Sequence, residues 1–598
     1  MKWQEKQIRK NKTTGYPREF ALFDCETVQE PISDKETAHH LKLGWLAHVI
    51  LPYSKNGGKT IWYKFTGVKE FWDIIEELTK DKRPIYVASH NLNFDLAVLN
   101  GVNQLEDRGW TLKFFYVKGY TVILKFKKGK RVINLFSTTN WFHSPLKELG
   151  KIVDLPKLEV DFDATSDEYL STYCKRDVEI LVAIVKQYVE FCRTHECGKF
   201  RLTAASQAYA AFKHRFMATK IYTHDNQEVR ELERKAYHGG RSSAFFVGTP
   251  PKDTYYKLDI NSAYPNVMKN EYMPTRLIGV LKSPTLSKLQ SLMEAYCLIA
   301  DVTLECDTNP YPVRYNGFNI YPTGRFRTVL STPELEHAVS HGYIKEVHTA
   351  IVYKREKIFK EYVDYFYGLK DKYKEEKNTP YYAMVKLFLN SLYGKFGQRP
   401  TKFVQCDESI DEYPSSGHIL DTSTGKVYSV FVIGHHLYIE TECEDEGEAM
   451  PAIAAHITAY QRMCLFDLIT KAGKKNVFYC DTDSLIVNSA GMENLRDYIN
   501  PKELGKLKIE GTDTSPTFLA PKTYQFQEEW KRKGVPPRAK EVQPNTFEFT
   551  MFPSIRGLCH KKDQGPYKTL RMQRKLNLII HDGIATETGY VEPLNICL

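Results

Sequence analysis

The sequence predicts a multidomain α/β protein. At 598 residues the chain suits several domains of roughly 100–200 residues each, with ample apolar material for their cores. Short apolar, β-prone runs recur along it (Phe20 to Phe23, Ile85 to Ala88, Tyr255 to Leu258, Val477 to Tyr479), and several run directly into a carboxylate. Between them lie helical stretches with start and stop signals.

In chain order, Phe20-Ala-Leu-Phe-Asp-Cys-Glu-Thr27 reads as a strand entering Asp24-x-Glu26. Alternation puts both carboxylates on one face, an arrangement that suits a divalent metal. His90-Asn-Leu-Asn-Phe-Asp95 follows the run Ile85-Tyr-Val-Ala and adds a third acid. Thr165-Ser-Asp-Glu168 has the form of a capping box, and the helix it opens carries Tyr173 and Asp177 on one face. One acidic pair is common at strand ends; the three elements in this order carry more weight.

Further on, Tyr255-Tyr-Lys-Leu-Asp-Ile reads as a strand running into a turn closed by Pro265. Asp259 at its end is costly to bury unless paired or metal-bound, the alternative being a capped turn. Lys354 to Lys377 is a lysine-rich amphipathic stretch, mostly a solvated face, that includes Lys374. A helix follows with Thr379 as N-cap, Pro380 at its first position and Gly397 as its stop. Its spacing puts Lys386, Asn390 and Gly394 on one face with Tyr393 beside them, a surface suited to a phosphate and a closely approaching base. Finally, Cys480-Asp-Thr-Asp-Ser484 sits between two β-prone runs and reads as a hairpin tip. Alternation sends Asp481 and Asp483 to the same side, where hard oxygen donors suit Mg²⁺. For Asp-Thr-Asp alone, a polar turn is the alternative.

The segments at 257–265, 386–394 and 479–484 resemble motifs A, B and C of family B DNA polymerases, in that order. The upstream acids resemble the three exonuclease motifs of the proofreading domain that precedes the polymerase in this family. The resemblance implies an RNase H-like 3′→5′ exonuclease followed by a right-hand polymerase of palm, fingers and thumb with two insertions. It implies two Mg²⁺ ions at each active site, with Mn²⁺ as an alternative. Asp259 and Asp483, assisted by Asp481, would bind the polymerase metals, and Asp24, Glu26, Asp95 and Asp177 the exonuclease metals. Tyr173 would orient water. Tyr264 would stack under the deoxyribose and exclude a 2′-hydroxyl. Lys386 and Lys374 would grip the incoming triphosphate, while Asn390 and Tyr393 line the nascent base pair. Thr27, Asn91 and Phe94 would hold a single-stranded 3′ end, with a lysine near Lys157 and Ser144-Pro-Leu as looser matches. Ala236-Tyr-His-Gly-Gly-Arg241 resembles the Tyr-x-Gly-Gly linker, giving Tyr237, Gly239 and Gly240 a DNA-binding role. Pro521-Lys-Thr-Tyr524 resembles a primer-steadying motif carried by Lys522 and Tyr524, and Thr458 to Arg462 a template-contacting element.

The long intervals from Asp259 to Asn390 and from Gly394 to Asp481, in a chain short for a cellular replicative member, resemble the protein-primed branch of bacteriophages and linear plasmids. The expected partners are then template and primer DNA, dNTPs and a terminal protein, with the chain a monomer or a heterodimer with that protein. The implied domains are an exonuclease at 1–195, a linker at 196–248, palm at 249–300 and 451–525, fingers at 353–400 and a thumb at 526–598. The two insertions fall at 301–352 and 401–450. The acidic run Glu440 to Glu448 reads as a solvated loop, since it would repel phosphate.

A net charge of +10 and 13% aromatic residues fit DNA binding without diagnosing it. Twelve cysteines without a Cys-x-x-Cys pair read as reduced thiols, and Cys192 to Cys197 lacks a second zinc-ligand pair. No signal peptide or membrane-spanning run is present, so the expected location is a host cytoplasm, with no membrane partner. Gly57-Gly-Lys-Thr60 is not a P-loop, because Tyr53 replaces its first glycine. The basic start from Lys2 to Lys12 reads as a disordered tail. The competing readings are a family B polymerase that starts from a nucleic-acid primer or without one, and a non-catalytic DNA-binding factor.

Overall fold

The computed structural model describes residues 3–597 apart from 55–56, 82, 162–165, 407–416, 424, 444–446 and 559–565. Its N-terminal half is built on a sheet centred on the strand Glu19–Ser33. That strand pairs antiparallel with Glu36–Ile50 and parallel with Ile85–Ser89. Phe20, Leu22 and Phe23 are fully buried because both faces of this central strand are covered. The covering helix is Asp167–Thr194, whose N-cap Ser166 accepts from the Tyr169 N–H. Thr165 of the expected capping box lies outside the described residues.

A second sheet, in the order Ser242–Ala244, Val477–Asp481, Ser484–Val487, Tyr255–Ile260, Leu507–Asp513, carries the other acids. Its register sets Asp259 beside Ser484 on one side and Lys508 on the other. The almost wholly buried helix Pro451–Ala472 backs it. In front stand two packed helices, Lys360–Glu375 and Thr379–Ser391. The second is capped by Asn378, which accepts from the Tyr381 N–H, and gives way after Ser391 to a short 3₁₀ turn at Tyr393–Lys395. Both helix ends therefore differ from the expected Thr379 and Gly397, because Asn378 is the better-placed side-chain acceptor and the chain tightens before the glycine.

The expected boundary at residue 300 falls inside the strand Cys297–Cys306. That strand shares a sheet with Met273–Lys282, Thr323–Ser331, Ile344–Glu356 and the C-terminal Asn595–Cys597. The strands Thr401–Cys406, His418–Asp421, Lys426–Ile433 and His436–Glu442 form a four-stranded sheet of their own. It docks on the N-terminal sheet through Phe115 and Phe403, and on the C-terminal region through an Arg556–Glu440 ion pair of 2.6 Å. Glu440 and Glu442 are thus paired strand residues rather than a solvated loop, the latter with Arg399, while 444–446 lie outside the described residues. The C-terminal strand Tyr567–Lys575 extends the N-terminal sheet by pairing with Glu36 to His39. The chain start is docked as well: Glu5–Gln7 pairs with Tyr222–His224 and Ile8 is buried, because Glu5 meets Arg276 and Ile8 finds an apolar seat. Among the described residues, no helix is long and apolar enough to cross a membrane.

Candidate metal centres

Asp259 and Asp483 line one cavity of about 930 Å³, together with Tyr264, Lys370, Lys374, Lys386, Asn390 and Tyr393. The strand end delivers Asp259. Asp483 comes from the hairpin turn, which is fixed by bonds from Ile260 N to the Asp483 carbonyl (2.8 Å) and from Thr482 N to the Arg241 carbonyl (2.6 Å). Burial and the facing Asp259 charge push the Asp483 carboxyl up to about 6. Burial also raises Asp259, despite Lys508 at 2.9 Å. Two acids that repel each other in a partly dry cavity, with hard oxygen donors only, fit divalent cations of the Mg²⁺ class.

Asp481 is separated from this pair. Thr482 has a φ of +63°, so the alternation expected through the hairpin tip is broken. Asp481 instead binds the Lys522 ammonium at 2.7 and 2.9 Å and does not line the cavity. Tyr524 is only 4% exposed and packs on Tyr479 at 4.6 Å, so it buttresses the hairpin instead of presenting a surface.

Lys370, Lys502 and Lys508 also line the cavity and were not singled out in the sequence. Lys370 donates to Ser262 Oγ at 3.1 Å, and burial, with Lys386 and Lys508 nearby, lowers its pKa. A lysine one helical turn before Lys374 was the available signal. Tyr264 stacks on Tyr393 with ring centroids 4.4 Å apart, forming one wall.

The linker reaches the same hairpin. A Cβ on Gly240 would sit 2.8 Å from the Thr482 side chain, so only glycine allows this approach. Gly239 is open to solvent, and Tyr237 packs where any side chain at position 397 would collide with it. Arg462 holds the linker from behind: it donates to the carbonyls of His238 (2.8 Å) and Gly239 (3.0 Å) and pairs with Glu334 at 2.6 Å. Thr458, Gln461 and Arg462 are all buried, Thr458 donating to the Ala454 and Ala455 carbonyls and Gln461 to the Thr482 carbonyl, so they do not form the template-facing surface expected of them.

The second centre lies on the N-terminal sheet. Asp24 and Glu26 converge with Asp95, from the helix Leu92–Val98, and Asp177. Burial and mutual repulsion push Glu26 up to about 8, and burial pushes Asp95 up to about 7; burial and its three acidic neighbours hold Asp24 well above the ordinary carboxylate range. Lys157 forms an ion pair with Asp177 and lies 4.4 Å from the Tyr173 ring centroid. This many like charges in one buried place fit bound cations, for which Lys157 is a partial stand-in. Of the residues expected to hold a 3′ end, Asn91 is exposed, and Thr27 and Phe94 meet through His39. Thr27 Oγ1 is 3.1 Å from His39 Nδ1, and the Phe94 and His39 ring centroids are 5.5 Å apart. His39 also bonds Thr569 at 3.1 Å, tying this corner to the C-terminal strand.

Residues 159–474, more than half of the chain, match the family model described as DNA polymerase type B, organellar and viral. The chain belongs to this family. A DNA polymerase of Bacillus phage M2 is 26% identical over 539 residues, covering 81% of the chain and 84% of that protein. A probable DNA polymerase of Neurospora intermedia is 25% identical over 432 residues, and one of Ascobolus immersus 27% over 411. These matches cover 69% and 66% of the chain but only 40% and 33% of those longer proteins. A solved structure of Phi29 DNA polymerase complexed with primer-template DNA superposes with a TM-score of 0.62 at 19% identity, covering 86% of the chain and 89% of that one. The family's fold of exonuclease, palm, fingers and thumb is thus the architecture described above.

Proposed function

We propose that the chain is a DNA-directed DNA polymerase with a separate 3′→5′ proofreading exonuclease, replicating a linear genome from a terminal-protein primer with strand displacement. The observation that carries this reading is the convergence of Asp259 and Asp483 with Lys370, Lys374 and Lys386 on one cavity, apart from a second all-acid centre.

At each centre two bound divalent ions, Mg²⁺ in this reading, would activate the attacking oxygen and neutralise the leaving one. Asp259 and Asp483 hold them on the polymerase side, with Asp481 and Lys522 positioning the hairpin. The three lysines hold the dNTP phosphates as point charges. Tyr264, fixed by Tyr393, closes the sugar side, and Asn390 borders the base pair. On the exonuclease side Asp24, Glu26, Asp95 and Asp177 hold the metals, Tyr173 orients water, and Thr27, Asn91 and Phe94 receive the frayed strand. Tyr237, Gly239 and Gly240, beside the hairpin, would contact the strand as it passes between the two centres. The similarity to the phage M2 polymerase over most of its length supports protein priming. The contacts of segment 401–442 with both the N-terminal sheet and Arg556 support an enclosed DNA path.

The test is extension of a primer annealed to circular single-stranded DNA with Mg²⁺ and all four dNTPs. Products longer than one circle support polymerisation with displacement; binding without incorporation rejects the enzyme reading. Transfer of labelled dNMP to protein, in an extract of the cell carrying the gene, tests priming. Label confined to nucleic acid rejects the terminal-protein primer.

A further inference from the structure

Lys508 stands where the polymerase-side carboxylates meet the lysine-lined wall of their cavity. It lies directly across from Asp259 on the neighbouring strand Leu507–Asp513, and its ammonium is 2.9 Å from Asp259 Oδ2. Residues opposed in this way point to one face of a sheet, as do residues two apart along a strand. Lys257 and Glu510 share that face, and the four side chains form a row of ion pairs. Lys508 meets Glu510 at 3.3 Å, and Glu510 meets Lys257 at 2.8 Å.

Two observations separate Lys508 from a pair that only braces the sheet. Its side chain is 37% exposed and lines the cavity together with Lys370, Lys374 and Lys386, so its ammonium is open to whatever enters. Among the described residues, it is also the one lysine of that wall ion-paired with Asp259 or Asp483. Lys522, by contrast, pairs with Asp481 outside the wall. A positive charge in this place acts on two ligands with opposite sign. It repels a divalent ion at Asp259 and attracts a polyphosphate in the cavity. A bound triphosphate offsets the ammonium, so metal and nucleotide strengthen each other's binding by the same factor.

We propose that Lys508 is a positioning residue that disfavours a divalent ion arriving alone at Asp259 and favours one arriving with a nucleoside triphosphate. The inference rests on the polymerase reading of this centre and adds an order of binding to it. Lys370, Lys374 and Lys386 face the phosphates alone in that reading, whereas Lys508 answers to both ligands. Glu510, itself shared with Lys257, tethers the ammonium without neutralising it.

The test is binding of Mn²⁺, as probe, to the full-length chain, followed by the electron paramagnetic resonance of the free ion. Asp24→Asn and Glu26→Gln are present throughout, so that the ion reports on the polymerase-side centre. Lys508→Met should tighten Mn²⁺ by about tenfold without nucleotide and, in primer extension, raise the KM for dNTP by about tenfold. Lys508→Gln should do the same, and Lys508→Arg, which keeps the charge, should return both toward wild type. A residue that only braced the sheet would weaken both ligands together. Mn²⁺ affinity unchanged or weaker in whichever of Lys508→Met and Lys508→Gln is folded, or an unchanged KM, overturns the proposal. Asp483→Asn distinguishes the two failures. If it leaves Mn²⁺ binding unaltered, the ion is not at the Asp259–Asp483 centre, and the polymerase reading of that centre falls with the proposal.

Discussion

Replacing Glu26 with Gln should remove much of the pH sensitivity of the metal-free protein. Glu26 is 8% exposed, and burial together with Asp177 and Asp95 carries its carboxyl from the ordinary 4.5 to about 8. In the unfolded chain the same group ionises near its ordinary value. Between these two pH values the folded form holds a proton that the unfolded form has lost, so stability falls as pH rises through that window. At about 1.4 kcal/mol per pH unit, the gap sets a ceiling of roughly 4–5 kcal/mol. Asp24, Asp95 and Asp177 share the repulsion, so about 2–4 kcal/mol is the expected difference between wild type and Glu26→Gln. In a domain of this size that is roughly 5–15 °C in melting temperature. The assay is unfolding in chelator at pH 5 and pH 8. Wild type should lose more stability than the variant between them, and Mg²⁺ at pH 8 should restore wild type more than the variant. Parallel pH profiles for the two proteins would refute the reasoning.

Other expectations follow from single contacts. Arg462→Met leaves Glu334 charged and buried, and thermal denaturation should show a loss of about 3–5 kcal/mol, largely recovered by adding Glu334→Gln. Lys370→Ala should raise the KM for dNTP by about tenfold in steady-state extension, the worth of one charged contact, while digestion of a single strand is unaffected. Tyr264→Val opens the wall of the cavity, and ribonucleotide incorporation relative to dNTP should rise by about tenfold or more.

Several side chains were legible in the sequence because each pair sits in a short window whose strand or helix period fixes its face: Asp24 and Glu26, Tyr173 and Asp177, Lys386 and Asn390. Where the period breaks, sequence reasoning failed. A single residue in the left-handed region, Thr482, parts Asp481 from Asp483. Partners brought together by tertiary contact left no local signal. Arg462 is a buried brace for the linker because Glu334, far away in sequence, awaits it. The C-terminal strands carry no mark of the N-terminal sheet they extend, since edge pairing uses backbone groups that any sequence supplies.

The central claim is that two distinct metal centres perform two separable reactions, and one labelled primer–template tests it. Wild type should lengthen the primer with dNTPs and shorten it without them. Asp483→Asn should lose extension by about a thousandfold or more and keep digestion, and the pair Asp24→Asn with Glu26→Gln should do the opposite. Folded variants in which either change removes both reactions, or neither, would contradict the account.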